Sequence, residues 1–591
     1  MENREIARVL RETAQLLAID GENLGRWRSY EKAAELLDGL HERIEDIAKD
    51  EEKLLELPGV GEGIASHIHE ILRTGEYSLH LKLLKKYPAT ILQLLDLQSL
   101  GPKKIALLWK KFHVATVAEV EKLAREQKLR RVRGFGEKSE QNILKAAEQF
   151  EHLSGSGRFH INVADDEAQG LISYIRGATG VESAVVAGSL RRGKETIGDL
   201  DLLVTMKPGS DKQKDVDVAA KHIFSYSRIK RKLAYGENKL SFVLDSDLQV
   251  DVRLLRKGNF GAALLYFTGS KEHNVALRGR ANDMGWTLNE YALTTLKSGR
   301  VIASKTEEEI YKKLRLPYIE PELREMSGEI EAAEQGRLPK LLTLSDIRGD
   351  LQMHTTASDG RNSIEEMAEA ASRLGYEYIA LTDHSKAVSV AKGMDEKRTL
   401  EQIKRIYATQ KRVQGIRLLA GIEVDIHRDG SLDLDDEVLA QLDVVVASVH
   451  SYMNLAPTEM TERLLAAIEN PYSQIIGHPT GRLILQREAY AYEMEKVFRA
   501  AAKQGVALEC DAYPDRLDLG DVHLRMAKQI GAKIVISTDS HRTEHLAFMK
   551  YGVQTARRGW IEKKDVLNTL SLPQFLSALR AKPHSRARKI A

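Results

Sequence analysis

The 591-residue sequence contains a single cysteine, Cys510. One cysteine excludes an intramolecular disulfide and a thiolate zinc cluster, so metal ligands here must be His, Asp or Glu. Cys510 itself is expected to be an inert strand residue. No apolar run is long enough to cross a bilayer, and the start MENREIARVL lacks the apolar segment of a signal peptide. We therefore expect a protein of the reducing cytoplasm.

The sequence also has little net charge, +2 at pH 7, although 29% of its residues are charged and 42% are hydrophobic. This composition is typical of globular proteins. Affinity for nucleic acid must then come from local patches and not from a global field. The length predicts roughly three to four domains.

Residues 1–150 show apolar positions at helical spacing throughout, and three segments of this region share one pattern. These segments are ELPGVGEGIASHIHEIL (56–72), DLQSLGPKKIALLWKKF (96–112) and RRVRGFGEKSEQNILKAA (130–147). In each, a short turn ends in a glycine (Gly61, Gly101 or Gly136) just before an amphipathic helix. Glycine permits close backbone approach, and the following helix N-terminus offers N–H groups to a phosphate. The pattern resembles the helix-hairpin-helix motif, which grips DNA backbones without reading bases; Gly59 and Gly134 belong to the same turns.

The stretch VVAGSLRRGKETIGDLDLLV (185–204) predicts a phosphoryl-transfer site. A strand leads into Gly188-Ser189, and strand alternation places Asp199 and Asp201 on one face of the next strand. A third acid, Asp251, lies in the centre of a later strand, LQVDVRLL. Three carboxylates, a Gly-Ser loop and an arginine suit Mg²⁺-dependent, in-line transfer.

Together with YFTGSKEHNVALRGRANDMGWTLNEYAL (266–293), this stretch resembles the family X DNA polymerases, relatives of polymerase beta. The resemblance implies that Asp199, Asp201 and Asp251 are catalytic Mg²⁺ ligands, with Asp251 as the base. It further implies a nucleotide site in which Ser189, Arg192 and Gly269 hold the triphosphate, Tyr266 and Phe267 line the sugar, Asn274 contacts the base and Arg278 contacts the template strand. The implied substrates are gapped or nicked DNA and dNTPs, acted on by a monomer.

One position departs from the pattern of the eukaryotic members. Their first motif carries a lysine that forms a Schiff base with abasic deoxyribose, whereas His67 occupies the aligned position here. An imidazole cannot form that imine, so we predict weak or absent lyase activity by this route. Tyr30 and Lys32, in the earlier segment RSYEKAAELL, are interpreted as phosphate contacts.

From about residue 348 the chain alternates short apolar strands with helical segments, as in a βα barrel. An acid or a histidine follows strand after strand, at the end where barrel active sites are built. The positions are Gln352 (an amide in place of an acid or a histidine), His354, Asp359, Asp383, His384, Glu423, His450, His478, Asp539 and His541. Such a set suits Mn²⁺ or Zn²⁺ ions, and the amide Gln352 predicts one softened position that tunes the site.

This last region resembles the PHP domain, a distorted βα barrel around up to three metal ions. The resemblance implies nine metal ligands, which are all of the positions above except Asp383. A family X polymerase followed by a PHP domain is the arrangement of bacterial and archaeal members. The resemblance implies Mn²⁺-dependent 3′→5′ exonuclease activity or related 3′-end processing. Arg516 is interpreted either as a phosphate clamp or as a surface arginine.

The expected class is a multidomain α+β and α/β protein. Its expected divisions are a helical lyase-like domain (1–85), a fingers-type helical domain with two helix-hairpin-helix motifs (86–152), a nucleotidyltransferase palm (158–260), a thumb-type nucleotide-selecting subdomain (261–320), a linker (321–346), the PHP domain (347–575) and a basic tail (576–591). The leading hypothesis is a repair polymerase that fills short gaps and trims 3′ ends. The alternatives are a template-independent nucleotidyltransferase, a polymerase whose barrel is only structural or regulatory, and a barrel that acts as a small-molecule phosphatase.

Overall fold

The computed structural model describes residues 3–39, 44–57, 59–97, 100–132, 134–154, 157–207, 209, 213–236 and 238–581. Most of the predicted basic tail therefore lies outside the described residues. The chain forms two compact units, residues 1–156 and 157–591. Within the described ranges no helix combines the length and the apolar character needed to span a membrane.

The first unit is helical, as the sequence predicts. Its α-helices are α1 (Asn3–Asp20), α2 (Leu24–Gly39), α3 (Ile44–Ile47), α4 (Glu51–Glu56), α5 (Glu62–Thr74), α6 (Ser78–Lys86), α7 (Pro102–Phe112), α8 (Val117–Arg125) and α9 (Glu137–Ser154), with 3₁₀ segments at Ala89–Asp96 and Leu129–Arg131. Leu10, Ile68 and Ile105 are among the residues that share one buried core.

The three repeated segments share one backbone hydrogen bond before their helices. In each turn the fourth residue's N–H donates to the first residue's carbonyl at 3.0 Å: Val60 to Leu57, Leu100 to Leu97, and Phe135 to Val132. The apolar residue that donates is buried in every copy. Glycine follows it at once, and α5, α7 or α9 begins at the next residue. The sequence repeat is therefore also a structural repeat.

The second unit begins with a mixed sheet. Its elements are β1 (Phe159–His160), α10 (Ile161–Arg176), β2 (Val181–Val186), α11 (Gly188–Arg191), β3 (Thr196–Ile197), β4 (Asp199–Met206), α12 (Gln213–Ile223), β5 (Ile229–Tyr235), β6 (Lys239–Leu244) and β7 (Gln249–Arg256). The strand order of the five-stranded sheet is β2-β4-β7-β6-β5. Only β4 and β7 run parallel to each other, and every other neighbouring pair is antiparallel.

A smaller α/β part follows. It contains α13 (Phe260–Thr268), α14 (Lys271–Asp283), β8 (Trp286–Leu288), β9 (Leu293–Thr295), β10 (Val301–Ala303), α15 (Glu307–Lys313) and α16 (Glu329–Glu334), with 3₁₀ segments at Lys257–Asn259 and Pro321–Leu323. The charged stretch 321–340, which falls in the expected linker, contains the 3₁₀ segment Pro321–Leu323 and the six-residue helix α16. Two of its charged side chains, Arg324 and Glu329, are buried against this part, and Gly328 has φ +101°, so the backbone turns between them.

The remainder of the unit is a parallel barrel. Its elements are β11 (Gly349–Asp350), α17 (Ile364–Arg373), β12 (Tyr378–Leu381), α18 (Glu396–Gln410), β13 (Arg417–Asp425), α19 (Asp436–Leu439), β14 (Val444–Ser448), α20 (Pro457–Glu469), β15 (Ile475–Ile476), α21 (Met494–Gln504), β16 (Ala507–Asp511), α22 (Asp521–Ile530), β17 (Ile534–Ser537), α23 (Met549–Arg558) and α24 (Leu572–Ala578); 3₁₀ segments lie at Leu344–Asp346, Ser389–Ala391, Thr543–Phe548, Lys563–Asp565 and Leu567–Thr569.

The seven barrel strands pair in chain order, and all their pairings are parallel. The last strand returns to the first through the isolated bridge between Met353 and Ser540, so the barrel is nearly closed. Three barrel residues, Ile484, Leu517 and Tyr551, belong to the core of the five-stranded sheet. The barrel and that sheet are therefore packed as one body and not merely joined by a linker.

Candidate active sites

The three palm carboxylates meet at one end of the parallel strand pair. β4 and β7 are in register with Asp201 opposite Asp251, and Asp199 is two residues before Asp201 on the same face. Ser241 donates its hydroxyl to Asp251 Oδ1 at 2.5 Å, and Lys239 Nζ lies 2.8 Å from Asp251 Oδ2. The pairing therefore brings together the three acids that the sequence singles out.

The proximity of these acids shows in their proton affinity. Burial, followed by the charges of Asp199 and Asp251, raises the pKa of Asp201 to about 7. Clustered carboxylates that raise one another's pKa gain from a bound cation, because it offsets their mutual repulsion. The donor set is all oxygen, which suits Mg²⁺.

Gly188 lies against this cluster at the start of α11. It has φ +60°, and a Cβ added there would be 3.1 Å from Asp201 Cγ and closer still to Oδ2. Both the conformation and the space therefore require glycine. The next residue, Ser189, accepts the N–H of Lys194 at its carbonyl at 3.0 Å, which closes the loop that carries Arg191 and Arg192.

Arg192 points toward Gly269 but is already engaged. Its Nε donates to Glu325 Oε1 at 2.9 Å, and its Nη1 donates to the carbonyl of Thr268. A Cβ on Gly269, which has φ +72°, would lie 3.1 Å from Arg192 Nη1. Arg192 and Gly269 lie together, and the sequence did not reveal the carboxylate that orients the guanidinium.

Most of the predicted base and sugar contacts line one small pocket. Tyr266, Asn274 and Arg278 face it together with Leu288 and Asn289. Asn274 Nδ2 donates to the carbonyl of Tyr266 at 2.7 Å. Phe267 packs edge-on against Tyr266, with ring centroids 5.1 Å apart, but it lies against the buried residues Ala187, Leu203 and Ala263 and does not line this pocket.

In the helical unit, the turn glycines have free space around them. A Cβ on Gly61, Gly101, Gly134 or Gly136 would meet no described atom within 4 Å. Gly61 and Gly101 also have φ values of −98° and −88°, which any residue can adopt. The fold itself therefore does not require glycine at those two positions, whereas a ligand approaching the backbone would.

His67 sits between two tyrosines of the same unit. The Tyr30 hydroxyl lies 3.1 Å from His67 Nδ1, and the Tyr77 ring centroid is 4.6 Å from that of His67. Burial lowers the pKa of His67. Tyr30, which was expected to contact phosphate, is instead only 6% exposed. Lys32 lies beside the first turn, its Cβ 3.6 Å from the position of a Cβ on Gly59.

The barrel residues converge at the carboxyl ends of its strands. A pocket of about 240 Å³ is lined by seven of the nine predicted ligands and by Arg516: Asp359, His384, Glu423, His450, His478, Asp539 and His541. His354 lies beneath it, with Nε2 3.0 Å from Asp539 Oδ1 and 3.6 Å from Glu423 Oε2. Eight predicted ligands thus form one continuous cluster.

Three groups within this cluster have metal-binding geometry. The first contains His354, Glu423 and Asp539, the second His384, Glu423 and His450, and the third His354, Asp359, His384 and His541. Glu423 joins the first two groups, and its carboxylate also lies 2.9 Å from His478 Nε2. Nitrogen and carboxylate donors in this mixture suit Mn²⁺ or Zn²⁺.

Gln352, the predicted softened position, is fully buried beside the first group. Neither of its amide atoms has a hydrogen-bond partner among the described residues. The same holds for His354 Nδ1 and His478 Nδ1. Because buried polar atoms are costly to leave unpaired, these orphaned donors and acceptors fit a site built to hold ions and water.

The protonation of the cluster follows from its carboxylates. Burial disfavours a charged His354, but the hydrogen bond to Asp539 and the charges of the nearby acids raise its pKa to about 10. His450 is also buried, and Glu423 and Asp425 raise its pKa to about 9. Without a bound ion, the protons on these imidazoles offset the negative charge of the acids. A bound cation would offset the same charge in their place.

Asp425 is a functional residue that the sequence interpretation missed. Its Oδ1 lies 3.0 Å from His450 Nδ1 and accepts the His450 N–H, also at 3.0 Å. A carboxylate behind a ligand histidine fixes the ring orientation and its tautomer. The signal was present, because Asp425 is two residues after Glu423 on the same strand face.

Asp383 holds the loop that contains Thr355 and Ser358, much as Asp425 holds His450. It accepts the N–H and the hydroxyl of Thr355, both at 2.8 Å, and the hydroxyl of Ser358 at 2.7 Å. These bonds hold the segment that carries His354 and Asp359 beside the site. Asp383 supports the ligands and is not one of them.

Arg516 is held inside the pocket and is not a surface arginine. Its Nε lies 3.4 Å from Asp511 Oδ2 and 3.7 Å from Asp539 Oδ2, whereas Nη1 has no partner among the described residues. Glu509 is also buried here and accepts the His478 N–H at 2.7 Å. Burial raises the pKa of Cys510 well above its ordinary value, in keeping with an inert thiol.

Comparison with known proteins identifies the family. Family models match as "helix-hairpin-helix domain" (1–77), "SAM-like helix-hairpin-helix tandem" (91–149), "DNA polymerase beta thumb" (263–325) and "PHP domain" (350–512). The DNA polymerase/3′-5′ exonuclease PolX of Bacillus subtilis (strain 168) is 38% identical over 98% of this chain and 100% of its own length. The chain belongs to the family X DNA polymerases that carry a PHP domain.

Other relatives match only part of this chain. DNA polymerase lambda of Rattus norvegicus is 25% identical over 55% of the chain and 56% of its own length. A probable phosphatase of Thermoanaerobacter sp. (strain X514) is 28% identical over 37% of the chain and 89% of its own length. The predicted family and fold class are thus confirmed: helix-hairpin-helix domains, a polymerase beta-like core and a nearly closed seven-stranded PHP barrel.

Proposed function

We propose that this family X polymerase fills short gaps in DNA during repair and degrades DNA 3′ ends with its PHP barrel. The observation that carries the proposal is the presence of two separate acid centres in one chain, one on β4 and β7 and one at the mouth of the barrel. The repeated turn-helix segments, each with a glycine directly before the helix, support DNA as the common substrate.

In the palm, Asp199, Asp201 and Asp251 would hold two Mg²⁺ ions, which when bound neutralise charge on the phosphates during in-line transfer. Ser241 and Lys239 fix the Asp251 carboxylate, the proposed base that takes the proton of the primer 3′-hydroxyl. Gly188 leaves the space in which Asp201 stands beside the nucleotide loop.

Nucleotide selection is assigned to the loop and pocket described above. Ser189, Arg192 and Gly269 would hold the triphosphate. Tyr266 and Phe267 would line the sugar: Tyr266 lines the pocket and would exclude a 2′-hydroxyl, and Phe267 packs against it. Asn274 would contact the base and Arg278 the template strand, because both line the same pocket.

The DNA duplex would be held through Gly59, Gly61, Gly101, Gly134 and Gly136. The open space at four of these glycines and the free helix N-termini after them support close approach of a phosphate. Such contacts carry no base information, which suits an enzyme that must act at gaps of any sequence. Lys32, beside the first turn, is placed to add a positive charge.

In the barrel, Gln352, His354, Asp359, His384, Glu423, His450, His478, Asp539 and His541 would hold up to three Mn²⁺ or Zn²⁺ ions, which when bound supply a nucleophile from water at neutral pH. Asp425 orients His450, and Asp383 holds the loop of His354 and Asp359. The amide oxygen of Gln352 can coordinate an ion, but more weakly than an imidazole would. We propose a site that is more Mn²⁺-like and exchangeable than one with a histidine at that position.

Arg516 is the proposed phosphate clamp. Its side chain lines the pocket, and Nη1 is buried without a partner among the described residues, so an anionic phosphate oxygen would satisfy it. Asp511 and Asp539 hold the other side of the guanidinium.

The test uses a gapped DNA with a 5′-labelled primer and Mn²⁺, with and without dNTPs. Extension should vanish in Asp199→Ala/Asp201→Ala but survive in the surface-acid control Asp217→Ala. Degradation should vanish in His384→Ala but survive in His523→Ala, a barrel histidine outside the pocket. Degradation that persists in His384→Ala would mean that the barrel is structural or regulatory and not the nuclease.

The remaining assignments complete the proposal. We retain the domain divisions expected from the sequence, a monomeric state and action in the cytoplasm. The cytoplasm is retained because a single cysteine suits a reducing compartment.

Lyase chemistry through position 67 is not expected. Borohydride treatment with an abasic 5′-phosphate DNA should therefore give no cross-linked species, and robust cross-linking would contradict this.

A further inference from the structure

The loop of residues 188–195, which would hold the nucleotide triphosphate, is braced by helix α23 of the barrel. Gly193 has φ +66°, and a Cβ there would lie 2.7 Å from Gln554 Cδ and 2.9 Å from Gln554 Nε2. The loop backbone thus rests directly on the side chain of Gln554. At the far end of the loop, Glu195 Oε2 accepts from Arg482 Nη2 at 2.7 Å.

Arg558, the last residue of α23, links this loop to two carboxylates. Its Nη1 donates to the carbonyl of Arg192 and to Glu325 Oε1, both at 2.9 Å. Its Nη2 donates to Asp521 Oδ2 at 2.7 Å. Glu325 Oε1 is the same oxygen that accepts from Arg192 Nε. The Arg558 side chain is only 7% exposed, so these bonds are shielded from water.

This arrangement controls both parts of Arg192. The backbone of Arg192 is held by Arg558 directly, and its guanidinium is held through Glu325. Arg558 also balances the charge of Glu325, which would otherwise oppose an incoming triphosphate. Fixing Arg192 before the nucleotide arrives lowers the ordering cost that binding must meet.

We infer that Arg558 of the PHP barrel is a positioning residue of the polymerase nucleotide site, acting through Arg192 and Glu325. This inference rests on the proposed function, because it assigns a triphosphate to Arg192. It predicts that Arg558 affects nucleotide binding more than the transfer step, since its contacts end at the loop and do not reach Asp199, Asp201 or Asp251.

The test is single-nucleotide insertion on gapped DNA by the full chain, comparing wild type, Arg558→Gln, the milder Arg558→Lys and the control Arg557→Gln. Arg557 is the adjacent residue and also a buried cation, but it pairs with Glu322 at 2.7 Å and with the Leu342 carbonyl at 2.9 Å. We expect Arg558→Gln to raise KM for dNTP by about tenfold with kcat within about twofold, as for loss of charge-assisted hydrogen bonds. Arg558→Lys should give a smaller rise, and Arg557→Gln none.

Several outcomes would overturn the inference. Equal KM values for Arg558→Gln and Arg557→Gln would do so, as would a loss of Arg558→Gln activity confined to kcat. If Arg558→Gln does not fold, an unchanged KM for dNTP in Arg558→Lys would also overturn the inference. Degradation of 3′ ends in Mn²⁺ should stay at the wild-type rate in all folded variants. If the wild type extends no primer, the proposed function itself is refuted. If the wild type extends normally and the variants have an unaltered KM, only the inference about Arg558 is refuted.

Discussion

Replacing Gly188 with alanine should impair DNA extension while leaving 3′ degradation intact. The added Cβ would lie 3.1 Å from Asp201 Cγ and 3.2 Å from Asp201 Cβ. Ordinary carbon contacts need about 3.5–4.0 Å, so the carboxylate or the loop must move by roughly half an ångström to one ångström. Misplacement on that scale costs about 10²-fold in rate. Alanine at φ +60° also costs about 1–2 kcal/mol of stability.

The matched control for this prediction is Gly299→Ala. Gly299 has φ +64°, and a Cβ added there would have no described atom within 4 Å, so that variant meets only the conformational cost. Both variants should lose similar thermal stability, but only Gly188→Ala should lose about 10²-fold in kcat/KM for single-nucleotide insertion with Mg²⁺. If the two variants extend a primer equally well, close approach of the loop does not position Asp201.

Three further predictions concern the barrel. Gln352→His should tighten metal binding in competition with a chromophoric chelator, and unchanged affinity would mean that position 352 does not face the ions. Asp425→Asn should weaken metal retention by about 10–100-fold by releasing His450, so a metal content equal to that of wild type after dialysis would contradict its orienting role. In the metal-free protein the pKa values of His354 and His450 are raised to about 10 and about 9, above their ordinary 6.5. Their stabilisation is complete below about pH 6.5 and is lost as pH rises through about 9–10, so metal-free thermal stability should fall across that window while metal affinity rises. A flat profile between about pH 7 and 10 would refute this.

The palm acids were accessible from the sequence because strand geometry is local. Alternation in Asp199-Leu200-Asp201 places both carboxylates on one face, and the structure adds Asp251 in register with Asp201. The same rule could have identified Asp425, which shares a strand face with Glu423. The barrel ligands were accessible for a related reason, since parallel strands present their carboxyl ends at one edge.

The residues that hold these site residues in position could not be predicted from strand geometry. Arg558 contacts the Arg192 carbonyl across 366 residues of sequence and Glu325 across 233. No periodicity spans such distances, so these partners follow only from tertiary packing. Likewise, glycines occur in many turns, so the sequence does not show why position 188 needs one. Only the position of Asp201 shows that a side chain at residue 188 would collide with it.

Glu423 is shared among the barrel histidines: its oxygens lie 2.9 Å from His384 Nδ1, 2.9 Å from His478 Nε2 and 3.4 Å from His450 Nε2. A carboxylate used by several partners cannot serve one ion without changing what it offers to the next. The affinities of the first two groups for ions should therefore be coupled, so that an ion in one group changes the affinity of the other. The barrel would then respond to metal supply as one unit and not as a set of independent sites.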